Sequence, residues 1–157
     1  MSRLQVLAAV CIGILIATVL GIFILPREVK STRWMEVDAP ESVVWSQVYP
    51  MKSWSAWNIW GNSGVDESQA FWRGQSVQIT DVDLEKKQIK YAVVGQNASG
   101  LIALDQQPDQ LWIQWEHEYE AGYMPLARLT DWAARSELAL QLDQALKSIR
   151  QVSEAEK

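Results

Sequence analysis

The distribution of apolar residues divides the chain in two. From Leu4 to Leu25 it reads LQVLAAVCIGILIATVLGIFIL, with Gln5 the one strongly polar side chain. About 20 consecutive apolar residues carry a helix across the hydrocarbon core of a bilayer. Pro26 ends the run, and Arg27, Lys30 and Arg33 give it a charged exit. A cleavable signal peptide has an apolar stretch of about 7 to 15 residues ahead of a small-residue cleavage site. This run is longer and closes on Phe23-Ile24-Leu25-Pro26. A helix packed in a globular domain would show a polar side, and this one has none. The expectation is a retained single-pass anchor over residues 1–27 and one domain over residues 28–157. Arg3 flanks the apolar run on one side, and Arg27, Lys30 and Arg33 on the other, which leaves the side of the membrane open.

Past the anchor the period changes. Met35, Val37 and Ala39 alternate with Trp34, Glu36 and Asp38, the signature of a strand with one buried face, which Pro40 ends. Ala39-Pro40-Glu41-Ser42 opens a short helix carrying Val44, Trp45 and Val48, and Pro50 closes it. Trp54, Trp57 and Trp60 then recur at every third position, along one side of a short helix or turn. Strand-like runs follow at Gln69 to Trp72, Ser76 to Asp83, Gln88 to Val94, Gly100 to Leu104 and Gln110 to Glu120, and their compact turns predict an antiparallel sheet. In the last run Leu111, Ile113, Trp115, His117 and Tyr119 share the face predicted to be buried. From Met124 to about Val152, apolar residues at three- and four-residue steps predict one long amphipathic helix. Its packing stripe would be Leu126, Leu129, Trp132, Leu138, Leu142, Ala145, Ile149 and Val152.

Charge and composition narrow the function. The chain carries a net charge of −5, and of its charged residues only Arg3 precedes Pro26, so the domain is more acidic still. Nucleic-acid binding needs a basic patch, and none of any size occurs. Cys11, the single cysteine, lies in the apolar run, which excludes an intramolecular disulfide and a cysteine metal site. Nine tryptophans mark either a heavy core or a surface that meets ligand or lipid.

The stretch from Val37 to Trp60, VDAPESVVWSQVYPMKSWSAWNIW, resembles the opening of the START/SRPBCC superfamily, often labelled polyketide cyclase/dehydrase and lipid transport. There an apolar strand runs into Ala-Pro-Glu, then a Val-Trp or Val-Phe helix, then Trp-x-x-Trp-x-x-Trp. Here these are Ala39-Pro40-Glu41, Val44-Trp45, and Trp54, Trp57 and Trp60. Members with a membrane helix ending in Leu-Pro are similar too, and Leu25-Pro26 stands at that junction. The resemblance implies an α+β helix-grip fold, in which an antiparallel sheet wraps around the long C-terminal helix and commonly leaves an apolar cavity. The sequence departs from the pattern between Trp60 and Gln75, where only Gln69 to Trp72 looks strand-like, so a smaller or edge-open cavity is expected.

Together these give the expectation of a membrane-anchored, non-catalytic domain that binds a hydrophobic small molecule or lipid, in a bacterial inner membrane. Tyr91, Trp115, His117, Tyr119 and Leu142 are the candidate cavity-facing residues, and Trp54, Trp57 and Trp60 the candidate portal or membrane-facing group. Core packing is the competing reading of the three tryptophans. No catalytic residue, cofactor or metal site is nominated, membrane lipid is the expected partner, and no protein partner can be named. Two rivals stand beside this reading. A cyclase or dehydratase enzyme would need His117 with Tyr119 or Tyr91 as converging polar groups, since histidine titrates near neutrality. A scaffold with a filled core would act through its outer surface at the membrane.

Overall fold

The computed structural model describes residues 3–57 and 70–156. Trp60, Gln69 and most of the stretch where the sequence departs from the family pattern lie outside the described residues. The apolar run is one helix, α1 (Arg3–Ile24), long and apolar enough to cross a membrane, and no residue of its most apolar window is buried by the rest of the chain. After Leu25, Pro26 and Arg27 the chain enters strand β1 (Glu28–Val37). A short helix α2 (Glu41–Val48) and a 3-10 turn (Met51–Ala56) follow, then strands β2 (Ala70–Trp72), β3 (Gln75–Asp83), β4 (Gln88–Val93), β5 (Ala98–Gln106) and β6 (Leu111–Glu120). Helices α3 (Pro125–Ala133) and α4 (Arg135–Ala155) close the chain.

The fold is α+β: six strands form one curled antiparallel sheet in the order β1-β6-β5-β4-β3-β2, with α4 packed on β1, β6 and α2. Each consecutive strand from β2 onward pairs with the next, and only β1 crosses over, to lie beside β6. Alternation sets which face is wet. Leu111, Ile113, Trp115, His117 and Tyr119 of β6 are all buried, as the period-two pattern predicts. β1 starts earlier than the pattern suggests, because Val29 and Ser31 carry the buried phase upstream of Met35 and Val37.

The single long helix expected from Met124 to Val152 is two helices. Ala134, with ψ at −5°, separates them without proline or glycine. The cause lies in tertiary bonds on either side of the break. Asp131 Oδ2 accepts from the Gly122 amide at 3.0 Å, and the Asp131 carbonyl accepts from the Tyr119 hydroxyl at 2.9 Å, which hold α3 to the end of β6. Leu138, Leu142, Ala145 and Ile149 instead pull α4 into the core, all of them buried. The predicted stripe is therefore right for α4 and reversed for α3, where Leu126, Leu129 and Trp132 are exposed. Spacing at three and four residues identifies an apolar face; it does not say toward what that face turns.

Candidate functional site

Within the curl, Trp54, Trp57, Trp72, Tyr91, Trp115, His117 and Tyr119 gather into one buried aromatic cluster. The 3-10 turn delivers Trp54 and Trp57 to it. Their indole nitrogens donate to the Val48 and Gln47 carbonyls, each at 2.8 Å, so both rings are tied to the end of α2. Trp57 meets Trp115 edge to face with ring centroids 5.5 Å apart, and Trp54 meets Tyr91 likewise at 5.9 Å. Trp54 and Trp57 thus occupy the packing position and do not line an opening, because three-residue spacing on a tight turn aims both rings at the sheet.

The polar centre of the cluster is a relay across the sheet. Trp115 Nε1 donates to the Tyr91 hydroxyl at 2.8 Å, and that hydroxyl lies 2.8 Å from His117 Nδ1. An indole nitrogen only donates, so the hydroxyl oxygen is the acceptor from Trp115, and the tautomer of His117 decides which way the hydrogen bond between that hydroxyl and Nδ1 runs. Burial, with a smaller contribution from Arg73, pushes the His117 pKa down to about 3, and burial pushes the Tyr91 hydroxyl far up. Both are therefore neutral through the physiological range. Gly100 makes the relay fit. It pairs with Tyr91 on one side and His117 on the other, and a Cβ on it would overlap the Tyr91 hydroxyl.

One edge of the cluster opens. A recess of about 330 Å³ is lined by Trp72, Arg73 and Tyr119 from the sheet side and by Ala134, Glu137, Leu138 and Gln141 from α4 and its start. Arg73 spans its mouth, 4.7 Å from the Trp72 ring and 4.6 Å from the Tyr119 ring, with Nη1 3.2 Å from Asp131. Burial raises the Tyr119 pKa, which keeps its hydroxyl protonated and donating to the Asp131 carbonyl. Arg73 lies over both rings, so the recess is apolar only where Trp72, Tyr119, Ala134 and Leu138 border it and polar at Arg73, Glu137 and Gln141, which suits a small molecule with a polar end and a limited apolar part.

Of the five residues nominated as cavity-facing, only Tyr119 lines this recess. Tyr91, Trp115 and His117 are brought together, but bonded to one another inside the packed cluster, and Leu142 is buried on the inner face of α4. Face alternation puts them on the concave side, yet bulky neighbours fill the space in front of them. Trp72 and Arg73 are missed by sequence reasoning. The available signal is the Arg73-Gly74 pair between two strand-like runs, both at positive φ (49° and 77°), the two-residue turn of a tight hairpin. Among the described residues, no three His, Cys, Asp or Glu side chains gather in a way that would hold a metal ion.

No family profile matches the chain, and no curated protein matches it. Solved structures do share its fold. A protein from Thermus thermophilus is similar with a TM-score of 0.63 and 13% identity, over 83% of this chain and 99% of that one. One from Nitrosospira multiformis gives 0.58 and 16%, over 82% and 99%. One from Bacillus halodurans gives 0.60 and 14%, over 82% and 97%. At these identities the likeness is one of fold alone.

Proposed function

We propose that the chain is a single-pass membrane protein of the START/SRPBCC type, anchored by α1 in a bacterial inner membrane, whose helix-grip domain binds a small part-apolar molecule or lipid without transforming it. The observation that carries the reading is the recess between Trp72, Arg73, Tyr119 and α4, where Ala134 and Leu138 meet the borders of two rings inside a polar rim. Its volume lies at the low end of the range of roughly 300–1,000 Å³ usual for ligand sites, so the ligand is small or enters only in part. Catalysis is disfavoured by the disposition of His117 and Tyr91, which are bonded to each other inside the cluster and do not line the recess. The scaffold reading draws support from the same packing, since much of the concave face is occupied by aromatic rings.

The test is native mass spectrometry with lipid extraction on the full chain released from detergent, beside Leu138→Trp, which fills the recess. An apolar adduct retained by the wild type and lost from the variant supports binding there. A bare mass for the wild type, with no uptake of an apolar dye, would sink the binding reading and leave the scaffold in front.

A further inference from the structure

Helix α3 is built inside out. Its two charged side chains turn inward: Arg128, 6% exposed, donates from Nη1 to the Phe23 carbonyl at 2.8 Å, and Asp131 holds the Gly122 amide and Arg73. Its apolar side chains turn out. Leu126 is 75% exposed, Leu129 41% and Trp132 44%, and the preceding Tyr123 and Met124 are 72% and 71% exposed. Residues 126, 129 and 133 fall on one side of a helix, so Leu126, Leu129 and Ala133 form a stripe, with Trp132 on its flank. An amphipathic helix in a globular domain shows the opposite arrangement. Placing Arg128 inside is reasonable, because the last carbonyls of α1 present partial negative charge to it.

The position of α3 identifies what covers the stripe. Among the described residues α3 meets the C-terminal end of α1 through Arg128, whose guanidinium also lies 5.6 Å from the Phe23 ring. The 20-residue span Gln5–Ile24 makes a helix about 30 Å long at 1.5 Å per residue, the thickness of a bilayer hydrocarbon core. Phe23 and Ile24 then stand at one edge of that core, and α3 beside them. Tyr and Trp side chains favour this depth, and Tyr123 and Trp132 bracket the stripe.

We propose that α3 is an interfacial helix, its Leu126, Leu129 and Met124 side chains sunk into the acyl boundary of the same bilayer that α1 spans. The inference rests on the anchor reading of α1. Apolar contact leads the docking: of the three cations on the surface shared with Trp132, Lys30 and Arg33 already pair with Glu116 and Asp143, which leaves Arg135 to meet headgroup phosphate. The recess beside Ala134 opens next to the end of this helix, so a docked α3 holds its mouth near the lipid surface.

The experiment places single nitroxide labels on the full chain in a Cys11→Ser background, at Leu126→Cys, Leu129→Cys, Ile14→Cys and Lys147→Cys, reconstituted in neutral phosphatidylcholine vesicles. Accessibility to oxygen and to a water-soluble nickel chelate is read at each site. The expected result is an oxygen-to-nickel ratio at 126 and 129 several-fold above that at 147, with 14 higher again. Ratios at 126 and 129 equal to that at 147, with 14 still deep, overturn the interfacial helix and leave the anchor standing. A water-accessible 14 removes the anchor and the inference with it. Labels at 126 and 129 shielded from both agents, with spin–spin broadening that grows with protein density, assign the stripe to a second copy of the chain and also overturn the proposal. Two independent sites on the stripe keep the test decisive if one variant folds poorly.

Discussion

Tyr91→Phe tests whether the buried relay contributes to stability as its geometry requires. Phenylalanine keeps the ring and its edge contact with Trp54, so little packing is lost. What goes is the hydroxyl that Trp115 donates to and that faces His117 Nδ1, two contacts of 2.8 Å at fully buried groups. A buried hydrogen bond contributes a net of about 0.5–1.5 kcal/mol, and a buried group deprived of one loses about 1–3 kcal/mol. The worked loss is roughly 2–4 kcal/mol. For a chain of this size each kcal/mol moves Tm by about 2–4 °C, so Tm falls by roughly 5–15 °C. The assay is thermal and urea unfolding of the full chain in lipid nanodiscs, followed by near-UV circular dichroism, for which the nine tryptophans supply a strong signal. A loss below about 1 kcal/mol with an unchanged urea slope would refute the reasoning, since two desolvated contacts cannot vanish so cheaply.

Two further perturbations probe the same centre. His117 is neutral when folded, with a pKa of about 3 against 6.5 unfolded, so its contribution is fully present above pH 6.5 and is lost as pH falls toward 3. Between pH 6.5 and 5 the chain should lose about 1.6 kcal/mol; unfolding midpoints across that window should flatten in His117→Asn, and parallel profiles for the two proteins would refute the assignment. Gly100→Ala puts a methyl where the Tyr91 hydroxyl lies, and overpacking of this kind costs about 1–3 kcal/mol. Ser99→Ala next to it, on the exposed face, should stay within about 0.5 kcal/mol of wild type, and equal midpoints for the two variants would count against the close approach.

Much of the architecture was legible in the residue pattern because the strands have one wet and one dry face. Leu111 through Tyr119 alternate cleanly, and the turn residues around Gly95 and Lys87 punctuate the runs. The C-terminal helix was less so. Leu126, Leu129 and Trp132 recur at three-residue steps, but six residues separate Trp132 from Leu138, which puts Leu126 and Leu129 across a continuous helix from Leu138 and Leu142, and the bonds that hold α3 in place come from Gly122, Tyr119 and Phe23, off the helix altogether. The site was legible only in part. Period two puts Tyr91, Trp115 and His117 on the concave face, but whether a concave residue meets a cavity depends on how far its neighbours reach, and Trp54, Trp57 and Trp72 reach far. Arg73 comes to the recess through a hairpin turn whose flanking strand is only three residues long.

Tyr91, Gly100 and His117 form a row across β4, β5 and β6, each opposite the next. Alternation alone forbids strands from slipping by one residue, since every apolar side chain would change face, but it is indifferent to a slip of two. A two-residue slip of β4 would set Tyr91 opposite Ala98 or Ile102, both buried and both bearing side chains where the tyrosine ring now lies. Only opposite Gly100 is there room, and only there does the hydroxyl reach the imidazole. The row therefore distinguishes one strand alignment from others that the hydrophobic pattern permits equally, so a polar cluster in an aromatic core serves as a fiducial mark for assembling the sheet.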